Sequence, residues 1–148
     1  MNAMNSIFKS AFPVGLFVVG TLMAAAPAGA TTVSGFTGQA NVASSQCLDK
    51  WASQVDNTCS STVQVHFDIA TTASPDHYYA HVYAGSVGAI SCWPESWNYD
   101  MTSRSYNNPV GNGVTGNVTL DLGQILTDNT HSVVCNMGPG TAVHSIDG

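Results

Sequence analysis

The chain has 148 residues, of which 8% are charged and 44% are hydrophobic, and its formal net charge is -6. Soluble domains typically have about 25% charged residues, so charge is strongly depleted here. The 3 cationic side chains cannot form the basic patch that phosphates require, which excludes nucleic acid as a partner. The large apolar fraction also argues against intrinsic disorder. These features indicate an acidic globular domain.

The first 30 residues differ in composition from the rest of the chain. Lys9 precedes an apolar run over residues 11–26, and the small residues Ala28 and Ala30 frame a cleavage site after Ala30. This order predicts a cleaved secretory signal peptide over residues 1–30. The apolar run is shorter than the ~20 residues of a membrane-spanning helix. We therefore expect one mature domain, residues 31–148, that is secreted or periplasmic, with no stable membrane insertion after cleavage.

All four cysteines of the chain lie in the mature region. An even number of cysteines behind a signal peptide predicts disulfide bonds, and four cysteines allow three connectivities. We favour Cys47–Cys59, which closes a short loop, and Cys92–Cys135, which joins two segments with strand patterns. A metal or redox site is the alternative, but there is no C-x-x-C motif and the spacings match no zinc motif.

Alternating apolar and polar residues predict short strands along most of the mature chain. Residues 33–36 and 39–43 are short candidates, and residues 62–69 show the clearest alternation. Further strands are predicted at 77–84, 86–93, 114–122, 130–137 and 142–146. Helical patterns are weak, with one or two turns expected over residues 48–55 around Trp51. The sequence therefore predicts an all-β fold, an antiparallel β-sandwich or small open barrel of about seven or eight short strands.

Four short segments of the mature chain, taken in order, form the basis of a resemblance to other proteins. They are Ile90-Ser-Cys92-Trp93, then Ser96-Trp-Asn-Tyr-Asp100, then Val133-Val-Cys135, then Met137-Gly-Pro-Gly140. In this order the chain resembles a group of small secreted bacterial β-sandwich-like proteins that have paired cysteines and no assigned function. The resemblance implies a β-sandwich-like fold. It implies no activity and carries over no functional residues.

The segment after Cys92 holds the richest set of candidate ligand-binding residues. Trp93, Trp97 and Tyr99 share one parity, so an extended chain places them on one face. Flat aromatic rings can stack on sugar rings while nearby polar side chains bind hydroxyls. Two residues of the return strand can join them, Arg104 and Tyr106. Alternatively the rings cap the end of the core, because Trp and Tyr bury large apolar areas.

The histidines form a second candidate site. If residues 62–69 and 77–84 pair as a hairpin, His66 lies opposite His81, and His77 lies on the same side. Imidazole is the commonest protein ligand for zinc and copper, so His66, His77 and His81 are candidate metal ligands. The alternative is a solvent-facing polar strip opposite the core.

No catalytic arrangement stands out in the sequence. There is no G-x-S-x-G motif, and no spacing singles out a carboxylate pair for glycoside hydrolysis. We expect no enzymatic activity and no cofactor. The favoured function is a non-enzymatic structural or interaction protein whose partner is an unknown protein or polysaccharide. The alternatives are a small carbohydrate-binding module that uses Trp93, Trp97 and Tyr99, and histidine-mediated metal binding.

Overall fold

A computed structural model describes residues 32–35, 38–40, 45–69, 77–98, 100, 102–125 and 130–148. The predicted signal peptide, residues 1–30, lies outside the described residues, and so does Tyr99. The described residues form twelve strands and one short 3-10 turn, Ser45–Cys47. The strands are β1 Thr32–Ser34, β2 Gln39–Ala40, β3 Leu48–Trp51, β4 Gln54–Asn57, β5 Val63–Ile69, β6 Tyr78–Ala84, β7 Ile90–Trp97, β8 Arg104–Tyr106, β9 Val110–Gly111, β10 Gly116–Gly123, β11 Thr130–Met137 and β12 Ala142–Asp147.

The strands form two sheets in which every pairing is antiparallel. The first sheet has the order β10-β6-β12-β4-β3, and β1 also pairs with β12. The second sheet has the order β2-β5-β11-β7-β8, and β9 also pairs with β7. Buried side chains of both sheets form one hydrophobic cluster. The predicted all-β antiparallel sandwich is therefore confirmed.

Alternation along β5 and β6 explains how the core forms. Along each of these strands, every second residue is buried. The buried positions of β5 and β6 are Val63, Val65, Phe67, Ile69, Tyr78, Ala80, Val82 and Ala84. Burying apolar area contributes roughly 25 cal/mol per Å², so these inward faces hold the two sheets together. The intervening side chains point to the two outer faces of the sandwich.

The pairing of β5 with β6 on which the histidine cluster depends does not occur, because the two strands lie in different sheets. Strand β5 pairs with β2 and β11, whereas β6 pairs with β10 and β12. The chain therefore changes sheet between Ile69 and Tyr78. Two strands that are consecutive in the chain but lie in opposite sheets can bury their apolar faces against each other. The two strands of a hairpin lie side by side in one sheet and cannot do so.

The helical turn predicted over residues 48–55 is also wrong. These residues form the hairpin of β3 and β4, with Leu48 opposite Asn57 and Trp51 opposite Gln54. Strand β4 continues the first sheet by pairing with β12, and this pairing buries Val55 completely. Trp51 is 54% exposed and is not a core residue. Long-range strand pairing therefore outweighs the weak local helical preference.

The favoured disulfide pairs, Cys47–Cys59 and Cys92–Cys135, are both confirmed. Cys92 and Cys135 lie directly opposite each other on β7 and β11 and are fully buried. Disulfides persist in oxidising compartments, so this pairing favours an extracytoplasmic environment. Among the described residues, no helix has the length and apolar character needed to span a membrane.

Candidate functional site

The tryptophans of β7 lie on the outer face of the second sheet. Ile90, Cys92 and Pro94 of this strand are buried, and Trp93 and Trp97 alternate with the buried residues. Both indoles are partly exposed, and neither belongs to the hydrophobic core. The interpretation that these two rings cap the core therefore does not match their placement.

Strand β8 adds two further residues beside these indoles. Arg104 lies opposite Trp97 in the register, and Tyr106 lies opposite Glu95. The Cζ atom of Arg104 is 5.5 Å from the centroid of the Trp97 ring and 4.6 Å from that of Tyr106. Both distances are within the range of cation–π contacts. We call the surface formed by Trp93, Trp97, Arg104 and Tyr106 the aromatic face.

The buried Glu95 carboxylate holds the Trp97 and Arg104 side chains of the aromatic face in position. Glu95 lies between the two tryptophans along β7, yet it is only 3% exposed. It accepts a hydrogen bond from the indole Nε1 of Trp97 at 3.1 Å and one from the Arg104 guanidinium at 3.4 Å. The Ser132 hydroxyl donates to the same carboxylate at 3.4 Å, and Nδ1 of His66 lies 3.8 Å away. A buried carboxylate requires such partners because desolvation of an unpaired charge is costly.

The outer face of the second sheet continues across β11 and β5. Val134 lies between Trp93 and His66 in the register, and it is fully buried although it points to the outer face. A valine on an outer face is buried only when the side chains around it cover it. The aromatic face is therefore a packed layer with a partly exposed surface, flanked by polar residues of β5.

Sequence reasoning identified Trp93 and Trp97 and placed Arg104 and Tyr106 near them, but it gave no role to Glu95. The signal for Glu95 was present, because it shares the parity of the two tryptophans. What the sequence lacks is the position of β11, which brings Ser132 to the carboxylate. Tyr99, the third predicted ring, lies outside the described residues.

The predicted histidine cluster is not assembled by this fold. His66 lies on β5 of the second sheet, whereas His81 lies on β6 of the first sheet. His77 directly precedes β6, and its Nδ1 lies 3.3 Å from the Asp121 carboxylate. Within the described part of the chain, no group of three His, Cys, Asp or Glu side chains has a geometry suited to a metal ion. The common metal site proposed for His66, His77 and His81 is therefore incorrect.

Each of these histidines instead has its own polar neighbours. Nε2 of His81 lies 2.9 Å from the Asp147 carboxylate, and its Nδ1 lies 3.0 Å from the Thr119 hydroxyl. The backbone N–H of Gly123 and the His77 imidazole hold the pKa of the exposed Asp121 carboxyl below its ordinary value. These contacts correspond to the alternative interpretation of a polar strip opposite the core.

Comparisons with known proteins give a weak structural similarity and no match to a family. No protein-family model and no curated protein matches the chain. Among solved structures, the chain is similar to a Podospora anserina GH26-CBM35 β-(1,4)-mannanase, with a TM-score of 0.43 and 12% identity. The match covers 81% of this chain and 27% of that chain.

Proposed function

We propose that this protein is a non-catalytic carbohydrate-binding module that acts outside the cytoplasm and holds a polysaccharide on the aromatic face. The observation that carries the proposal is the placement of Trp93 and Trp97. Both present partly exposed indoles on the outer face of a sheet, beside Tyr106, which is 56% exposed. Sugar rings have apolar faces that stack on such aromatic surfaces.

The hydrogen bonds beneath the aromatic face support a binding role. The Glu95 carboxylate fixes the Trp97 indole and the Arg104 guanidinium in one arrangement before any ligand arrives. Preorganisation of this kind reduces the entropy lost on binding and so strengthens affinity. The Arg104 guanidinium lies over the Trp97 and Tyr106 rings, and its N–H groups can donate to sugar hydroxyls. Glu95 is a positioning residue, because its burial keeps it from direct contact with a ligand.

The compartment is consistent with a polysaccharide ligand. Two disulfides favour an oxidising environment, and the predicted signal peptide would direct the mature chain there. Polysaccharides of the cell exterior are accessible to such a protein.

A protein partner is the second candidate, and the composition of the same face favours it. Trp, Tyr and Arg are the residues that most often dominate the energetics of protein–protein interfaces. The aromatic face consists of these three residue types, and its exposed Tyr106 suits such an anchor. A protein ligand would leave the face unresponsive to every oligosaccharide.

Tryptophan fluorescence can test the saccharide proposal at this face specifically. The chain has 3 tryptophans, so in a Trp51→Phe background only Trp93 and Trp97 emit. This variant is titrated with hexasaccharides of glucose, mannose, xylose and N-acetylglucosamine. We expect a saturable change in emission with at least one of them. Adding Tyr106→Ala should reduce that binding below detection, whereas Val114→Ala, at an exposed position outside the face, should leave it unchanged. An emission spectrum unaffected by all four sugars would rule out saccharide binding here.

A further inference from the structure

A groove lies on the side of the sandwich opposite the aromatic face, on the outer face of the first sheet. In the register, Ala142 of β12 lies between Asp56 of β4 and Tyr83 of β6. The adjacent row, Val55, Val143 and Val82, points into the core. Asp56 and Tyr83 therefore face away from the core and away from the aromatic face. The groove has a volume of 670 Å³ and is lined by Gln54, Asp56, Tyr83, Thr141, Ala142 and His144, among others. We call it the tyrosine groove.

The tyrosine groove combines an aromatic ring with fixed polar groups. Tyr83 is 44% exposed. The Asp56 carboxylate accepts hydrogen bonds from the Trp51 indole and from the Gln54 amide at 2.9 Å. These bonds fix the carboxylate at the groove wall before a ligand binds. A few oriented polar groups beside an aromatic surface are typical of small-molecule and sugar sites.

His144 provides a polar atom that the protein itself does not satisfy. Its Nε2 is buried and has no hydrogen-bond partner within the described residues. His144 also lines an adjacent hollow of 300 Å³, together with His81 and Thr119. Buried polar atoms without partners are uncommon in native proteins because each costs about 1–3 kcal/mol.

The charge around the groove disfavours an anionic ligand. Asp49 lies directly opposite Asp56 on β3, so two carboxylates face the same side. Neither Lys nor Arg is among the residues that line the groove or the adjacent hollow. Such a surface repels anionic sugars, whereas the hydroxyls of uncharged sugars can donate to carboxylate oxygens.

We infer that the tyrosine groove is a second saccharide-binding site, for uncharged sugar units, and that the protein cross-links two polysaccharide chains. The inference rests on the proposed function, because it assigns the same ligand class to a second face. Tyr83 stacks on a sugar ring, and the Asp56 carboxylate accepts hydrogen bonds from its hydroxyls. Since the two sites face in opposite directions, one polysaccharide strand cannot fill both at close range. A bivalent module of this kind would also serve as a structural protein of the cell exterior.

Tyr83 and Tyr106 offer a matched pair of variants for calorimetry with the hexasaccharides named above. The wild type should bind two oligosaccharides per chain. Tyr106→Ala, which alters the aromatic face, and Tyr83→Ala, which alters the groove, should each bind one, and the double variant none. Tyr83→Phe keeps the ring and should keep both sites, which separates a binding defect from a folding defect.

Each alternative outcome identifies which site fails. If Tyr83→Ala still binds two oligosaccharides, or if Tyr106→Ala abolishes all binding, the second site is refuted while the proposed function stands. If Tyr83→Ala abolishes all binding and Tyr106→Ala has no effect, the aromatic face is refuted and the groove stands. Absence of binding by the wild type to all four sugars overturns both.

Cross-linking has its own readout in light scattering with soluble polymers. Hydroxyethyl cellulose and carboxymethyl cellulose share one backbone and differ in charge. If the glucose hexasaccharide is the one that binds, we expect the wild type to increase the scattering of the uncharged polymer and not of the anionic one, since the groove repels carboxylates. Either single tyrosine-to-alanine variant should abolish the increase. Cross-linking of hydroxyethyl cellulose by Tyr83→Ala at the wild-type level would contradict the inference.

Discussion

The hydroxyl of Tyr78 and Nδ1 of His131 are hydrogen-bonded to each other inside the sandwich. Tyr78 begins β6 of the first sheet, and His131 lies on β11 of the second, so the bond joins the two layers through the core. Their rings are stacked, with centroids 6.1 Å apart and an interplanar angle of 24°. Both side chains are buried, at 1% and 8% exposure. A polar contact in this position fixes how the two sheets align as well as adding stability.

Replacing the Tyr78 hydroxyl should destabilise the fold. Tyr78→Phe keeps the ring but removes this partner of a buried imidazole, which costs about 1–3 kcal/mol. Tyr79→Phe is the matched control, because Tyr79 is the next residue along the strand and is exposed. Urea unfolding should show a lower midpoint for Tyr78→Phe and an unchanged one for Tyr79→Phe. Equal midpoints for the two variants would mean that the bond between the sheets contributes nothing.

Ionisation of the Tyr78 hydroxyl should make the fold less stable at high pH. Burial raises the pKa of Tyr78 to about 12, from an ordinary value of 10.0. Below pH 10 the hydroxyl is protonated in both the folded and the unfolded chain, so its contribution does not vary there. Between pH 10 and 12 the unfolded chain releases this proton first, which lowers the free energy of unfolding by about 2–3 kcal/mol.

The Tyr78→Phe variant isolates this pH effect from that of the other tyrosines. The difference in unfolding free energy between wild type and Tyr78→Phe, measured by urea titration, should favour the wild type at pH 9 and decrease towards pH 12. A difference that stays constant over this range would show that Tyr78 ionises equally in the folded and unfolded chain.

The strands with clear alternation were predictable from the sequence because that pattern is local, whereas their partners were not. The predicted span at residues 130–137 coincides with β11, and residues 62–69 and 77–84 agree with β5 and β6 to within one residue. Alternation shows which side chains of a strand are buried. It does not show which strand lies beside it, since many partners bury the same face equally well.

This limit also explains which parts of the candidate site could be foreseen. Trp93 and Trp97 were found because they share a parity within one strand. The contact of Glu95 with Ser132 and the groove between Asp56 and Tyr83 depend on strands that are far apart in sequence. His144 lies at a register irregularity between Val143 and Ser145. No local pattern indicates such a bulge, so its unsatisfied nitrogen could not be anticipated.

Neutralising Glu95 should weaken both stability and saccharide binding. Glu95→Gln removes the charge that holds the Trp97 indole and the Arg104 guanidinium, at a cost of about 1–3 kcal/mol in unfolding free energy. Saccharide affinity at the aromatic face should fall about tenfold, because both groups lose their common anchor. Asp68→Asn is the control, since Asp68 is an exposed carboxylate on the same outer face. If Glu95→Gln binds sugars with wild-type affinity, the carboxylate does not position the face.

In the turn between β3 and β4, replacing Ala52 with glycine should stabilise the fold. Ala52 has a φ of 54°, in the left-handed region that disfavours side chains. Ala52→Gly removes this strain and should raise the unfolding free energy by about 0.5–1 kcal/mol, whereas Ala52→Val should lower it. Thermal melting compares the three proteins. A lower melting temperature for Ala52→Gly than for the wild type would show that the turn is unstrained.

The two disulfides should differ in how much they stabilise the fold. Cys92 and Cys135 are 43 residues apart, and Cys47 and Cys59 are 12 apart. In the chain-entropy model the longer loop contributes about 4 kcal/mol and the shorter about 3 kcal/mol. The buried pair also packs in the core between β7 and β11, so its removal leaves apolar contacts unfilled. Replacing both cysteines of a pair with alanine avoids free thiols, and urea unfolding then measures each loss. We expect the Cys92→Ala/Cys135→Ala variant to be the less stable of the two, and the opposite order would show that loop length does not decide the contribution.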